Sequence, residues 1–107
     1  MADAHTLIDS TLFHLMPALP AGTRVIVFGS QARGDADSGS DLDLLVIEPE
    51  VGNRSDEMVR LSNLLGRHLI PADVVVISRE QYERQSEIPN TLAWRAKRDG
   101  REYELAH

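Results

Sequence analysis

Three short apolar runs decide most of what this 107-residue chain can fold into. Arg24 to Phe28 (Arg-Val-Ile-Val-Phe) is continuous and β-branched, the composition of a central buried strand. Asp73 to Ile77 (Asp-Val-Val-Val-Ile) is a second run of the same kind. Between them, Asp41 to Ile47 opens as a strict alternation, Asp41-Leu42-Asp43-Leu44, then becomes wholly apolar and is closed by Glu48-Pro49. Alternate residues of a strand project to opposite faces, so both aspartates should point one way and both leucines into the core.

The remaining stretches carry helical periodicity. Leu7, Ile8, Leu12 and Leu15 form an apolar stripe over Ala4 to Met16, ended by Pro17 and Pro20, with Ala21-Gly22 as the turn out. Ser55 can cap a second helix, with Asp56 and Glu57 in its first turn; Met58, Leu61, Leu65 and His68 share a face, flanked by Val59, Leu64 and Leu69, up to Pro71. A short helix is compatible with Arg79 to Glu83, and another is expected from Asn90 to Arg98, stopped by Gly100 at C′. Arg101 to Leu105 either returns as an edge strand or frays. The order helix–strand–strand–helix–strand–helix predicts an α/β (α+β) fold, a small mixed sheet flanked by helices. No internal linker, repeat or low-complexity tract interrupts it, so residues 1–107 read as one domain.

Composition excludes several function classes. The chain has no cysteine, which removes a disulfide framework and any thiolate zinc site and fits a reducing cytoplasm. No apolar run approaches the roughly 20 residues of a membrane span, and the N-terminus lacks the basic start and apolar core of a signal peptide. A net charge of −6 disfavours sequence-independent binding of nucleic acid, and suits a collector of divalent cations or a protein that meets a basic partner.

The chemistry-bearing residues cluster. Gly29-Ser30 directly follows the first strand run, where a glycine lets backbone approach a ligand and following N–H groups can cradle phosphate. Ser30 adds a hydroxyl, and Arg33 can reach the same anion with its planar fork or pair instead with Asp35 or Asp37. Asp41 and Asp43 would lie roughly 5–7 Å apart on one strand face, where like charges call for a cation between them. Hard divalent ions such as Mg²⁺ prefer these oxygens and keep several waters for phosphate ligands. Asp73 becomes a third carboxylate if its strand lies beside theirs, about the number that holds two metal ions roughly 3.5–4 Å apart. Taken singly, Gly-Ser is most often a plain turn, Asp-x-Asp a solvated strand face and Asp73 a cap. Their conjunction carries the argument.

That conjunction resembles a family. Gly29-Ser30-Gln31-Ala32-Arg33-Gly34, followed by Ser40-Asp41-Leu42-Asp43-Leu44, is similar to the signature of the DNA polymerase β nucleotidyltransferase superfamily, and looks like its minimal nucleotidyltransferase (MNT) branch. The likeness is strongest from Val25 to Val46 and continues at Ala72-Asp73-Val74-Val75. The resemblance implies a polymerase-β-like nucleotidyltransferase fold. It also implies that Gly29 and Ser30 hold the β- and γ-phosphates of a nucleoside triphosphate and that Arg33 neutralises triphosphate charge. Asp41 and Asp43 would bind two Mg²⁺, and Asp73 would complete the metal site or accept the proton of the attacking hydroxyl.

Larger members of the superfamily add a domain for the acceptor or base, and the stretch after Asp73 is too short for one. MNT proteins of this size resemble the antitoxin of HEPN–MNT toxin–antitoxin pairs, which adds AMP to a tyrosine of the helical HEPN ribonuclease. The resemblance therefore implies ATP as donor and a HEPN-type toxin as substrate within a hetero-oligomer, while composition and charge lead to the expectation of a cytoplasmic setting without nucleic-acid or membrane binding. Two alternatives remain open in the sequence: a non-catalytic antitoxin that only masks its partner, and transfer to a small molecule such as an aminoglycoside. His5, His14, His68 and His107 share no spacing and read as surface or interface residues. Trp94, with Leu92 and Ala93, reads as packing on the last helix; Tyr82 and Tyr103 are weak candidates for self-modification.

Overall fold

The computed structural model describes the backbone of residues 4–28 and 42–104, and the side chains of 7–28 and 42–103. Helix α1 (Ala4–Leu15) runs into a 3-10 turn, Met16–Ala18, which contains Pro17 at a position where no helical N–H is missed. Gly22, at φ 86, then makes the turn into strand β1 (Arg24–Phe28). Strand β2 (Leu42–Glu48), helix α2 (Arg54–Arg67) and strand β3 (Ala72–Ser78) form one crossover unit, with β2 and β3 parallel. Helices α3 (Arg79–Gln85) and α4 (Leu92–Asp99) lead to strand β4 (Arg101–Glu104), antiparallel to β1. The mixed sheet has the order β3-β2-β1-β4, so Arg101–Glu104 takes the edge-strand outcome.

The alternation of strand side chains sorts the core into two layers. Val25, Val27, Leu42, Leu44, Val46, Val74 and Val76 pack under α1 and α2, against Ile8, Leu12, Leu15, Leu61 and Leu65. On the other face Ile26, Leu45, Ile47 and Ile77 meet Tyr82 of α3 and Ala93 and Ala96 of α4. Each large aliphatic side chain so buried contributes roughly 1.5–3 kcal/mol, which is why the three apolar runs dominate the fold.

The helix ends differ in detail from the sequence expectation. Asn53, not Ser55, caps α2: its side chain accepts from the Asp56 N–H at 2.9 Å. The helix stops at Arg67 rather than reaching Pro71, because Leu69 N–H and Ile70 N–H bond back to the carbonyls of Gly66 and Leu65, both at 3.0 Å. This is a Schellman closure. It places Leu69 at φ 56 and 90% exposed, while Ile70 folds back into the core beside Leu65. Helix α4 starts at Leu92, capped by Thr91, whose Oγ1 accepts from Trp94 N–H at 3.2 Å; Asn90 precedes it at φ 73.

Gly100 ends α4 for a reason other than the one expected. Its backbone is extended (φ −89, ψ 170), not left-handed. A Cβ there would lie 2.6 Å from the Ala96 carbonyl oxygen and overlap the Ile26 side chain, so glycine is what lets α4 close down on β1.

Candidate active site

The sheet register places the acids. Asp43 pairs with Asp73 across the parallel β2–β3 ladder and with Phe28 across the antiparallel β1–β2 ladder. Phe28, Asp43 and Asp73 therefore form one row across three strands, at the C-terminal end of β1 and the N-terminal ends of β2 and β3. Neighbouring strands lie about 4.8 Å apart, close enough for the two carboxylates to share a ligand. Leu42 and Leu44 are fully buried beneath α1 and α2, as the alternation required, and this turns Asp43 to the opposite face.

On that face a cavity of about 410 Å³ opens, within the ordinary range for small-ligand sites. Asp43 and Asp73 line one side, Asp43 half-buried and Asp73 exposed. Phe28, Val75 and Leu92 give it an apolar floor, and Arg95 and Asp99 of α4 stand along the helical wall. Leu92, Arg95 and Asp99 follow a three-then-four spacing, so they share one face of α4.

Of the residues expected to form the site, Asp43 and Asp73 are brought together. Gly29, Ser30, Arg33 and Asp41 lie outside the described residues, although in the chain Gly29 directly follows Phe28 and Asp41 directly precedes Leu42, the two ends at which the row is built. Among the described residues no group of three or more His, Asp or Glu forms a metal cage. The two adjacent carboxylates offer oxygen donors only, beside a solvent-reached cavity, which suits a hard, partly hydrated divalent ion such as Mg²⁺.

Sequence reasoning missed the α4 side of this cavity. Its spacing was visible, but nothing in the sequence says which strands the helix covers. The former packing assignment holds for Ala93, which is buried; Trp94 is half-exposed and carries the Arg98 guanidinium 4.5 Å over its ring. Tyr82 is buried, with its hydroxyl pushed above the usual tyrosine range by that burial, so it is poorly placed as an acceptor. His14 and His68 stack at 3.8 Å on the α1–α2 layer and do not line the acid cavity.

A second acidic group lies at the far end of β2, roughly 17 Å along the strand from Asp43. Glu48 is buried there, with Oε2 lacking a hydrogen-bond partner. Burial and its contact with Glu57 push its carboxyl up to about 8. Arg60 grips Glu57 through Nε and Nη2 at 2.8 and 2.7 Å, and with the Glu48 hydrogen bond holds Glu57 down to about 2. Arg60 also donates to the Ala18 carbonyl at 2.9 Å, tying α2 to the 3-10 turn.

Comparison with known proteins bears on this geometry. A family model described as a nucleotidyltransferase domain matches residues 15–104 of the chain. The fold is similar to the crystal structure of a candidate nucleotidyltransferase from Sulfolobus solfataricus, at 26% identity and a TM-score of 0.55, covering 73% of this chain and 69% of that one. Among curated proteins none matches the sequence.

Proposed function

The chain belongs to the nucleotidyltransferase domain family, and from that premise we propose that it moves AMP from ATP to a hydroxyl of a partner protein. In this reading the acceptor is a tyrosine of a HEPN-type ribonuclease toxin, and the chain is the antitoxin of the pair. The observation that carries the chemical part is the in-register pairing of Asp43 with Asp73 beside the 410 Å³ cavity. The choice of AMP, ATP and a HEPN-type partner rests on the likeness of Gly29 to Leu44 to the MNT signature, and the net charge of −6 suits a basic partner.

Nucleotidyltransferase domains generally use a nucleoside triphosphate and a divalent metal. Asp41, Asp43 and Asp73 would hold two Mg²⁺, which when bound supply positive charge against the phosphates. Gly29 and Ser30 would donate to the β- and γ-phosphates, with Arg33 neutralising further charge. The acceptor oxygen attacks the α-phosphorus, the bond to the pyrophosphate oxygen breaks, and the hydroxyl proton passes to Asp73. The chain's own contribution is to position these groups and to keep two carboxylates adjacent on rigid strands.

Intact-mass measurement of the partner after incubation with this protein, ATP and Mg²⁺ tests the reading. It predicts a gain of one or more AMP units on the partner, absent with Asp43→Asn. An unmodified partner that is nevertheless neutralised would establish the masking alternative instead.

A further inference from the structure

Helix α4 carries three basic residues, and two are already engaged. Lys97 pairs with Glu87 at 3.1 Å. Arg98 pairs with Asp99 at 2.8 Å and lies over Trp94. Arg95 forms no ion pair with any described residue, and it is the one whose side chain lines the cavity shared with Asp43 and Asp73.

The charge of the cavity makes that placement consequential. Its described lining holds the carboxylates of Asp43, Asp73 and Asp99, the last paired with Arg98, and the guanidinium of Arg95. For an anionic ligand entering there, Arg95 is the cationic side chain of the described lining. The floor of Phe28, Val75 and Leu92 removes competing water from part of the cavity, which strengthens a charged hydrogen bond made at its wall. The support beneath Arg95 is firm: Ala93 and Ala96 are buried against the sheet, and Gly100 lets the helix end seat on Ile26.

We infer that Arg95 anchors the donor nucleotide, taking phosphate oxygens in its guanidinium fork across the cavity from Asp43 and Asp73. The inference rests on the nucleotidyltransferase reading above and adds to it a phosphate-binding residue on the last helix. An arginine fork suits two oxygens of one phosphate, whereas a lysine at that position would supply charge with less directional hold.

The test titrates ATP with Mg²⁺ into wild-type protein, Arg95→Gln, Arg95→Lys and Lys97→Gln at several salt concentrations. Lys97→Gln removes the same charge from the same helix outside the cavity. Arg95→Gln should weaken binding by about tenfold or more and flatten its dependence on salt, Arg95→Lys should recover part of both, and Lys97→Gln should stay near wild type. Arg95→Gln binding like Lys97→Gln, or weakened binding with an unchanged salt dependence, would overturn the inference while leaving the functional reading in place. A wild-type protein that binds no nucleotide would overturn both together. Thermal unfolding of each variant confirms that the exposed Arg95 is not needed for folding.

Discussion

Asp43 and Asp73 stand directly opposite one another on neighbouring parallel strands and line the same cavity. Like charges directly opposite one another in a sheet repel. Replacing Asp73, the exposed member of the pair, with asparagine should therefore leave the thermal midpoint unchanged or raise it, while lowering nucleotidyl transfer by about 100-fold or more. Calorimetry and a transfer assay on the same samples check both halves. A large loss of stability would mean the pair is structural.

The buried Glu48 gives the fold an unusual pH dependence. Its carboxyl titrates at about 8 in the folded chain, above the ordinary 4.5, so its contribution is complete below pH 4.5 and is lost as pH rises towards 8. Glu57 acts with the opposite sign: held down to about 2, it contributes above pH 4.5, and that contribution is lost as pH falls through 2. Glu48→Gln keeps the shape of the protonated form and should abolish the alkaline limb. Urea unfolding should show the variant similar to wild type near pH 4.5 and more stable at pH 8, by on the order of 1 kcal/mol.

Leu69 occupies the left-handed position of the α2 closure, where glycine is the usual residue, and exposes 90% of its surface. Leu69→Gly should stabilise the protein by roughly 0.5–1 kcal/mol, since it relieves backbone strain and removes no buried contact. Chemical denaturation at fixed pH measures it.

The start of α2 separates two neighbouring polar residues. Asn53 makes the capping bond to Asp56 N–H, and Ser55 lies inside the helix. Asn53→Ala should cost about 1 kcal/mol, and Ser55→Ala should fall within about 0.5 kcal/mol of wild type. Equal losses would contradict the cap assignment.

What the sequence revealed follows burial. Arg24–Phe28, Leu42–Glu48 and Ala72–Ser78 were legible as strands because apolar runs have few other places to go, and Asp43 was legible because its neighbours Leu42 and Leu44 had to turn inward. The edge strand was legible as one of two outcomes: Arg101-Glu102-Tyr103-Glu104 carries little apolar signal, and its place is set by pairing with β1, including Arg24 with Glu102 at 3.5 Å. The starts at Ala4 and Arg79 match the sequence pattern, and the other helix ends differ from it by one to four residues, because capping depends on which side chain reaches an orphan N–H and not on residue type alone. Residues 54 positions apart, such as His14 and His68, stack only because α1 and α2 pack together, which no local pattern encodes. The same reason hid Arg95 and Asp99. Gly29, Ser30, Arg33 and Asp41, the phosphate side and first acid of the expected site, lie outside the described residues.

In the proposed function the acid row belongs to a nucleotidyl-transfer site. The most direct measurement compares label incorporated into the partner protein from α-labelled and from γ-labelled ATP, with Mg²⁺, for wild type and for Asp43→Asn/Asp73→Asn. Incorporation from the α-label alone is expected, and none with the double variant. Incorporation from the γ-label, or equal incorporation by the double variant, would contradict it.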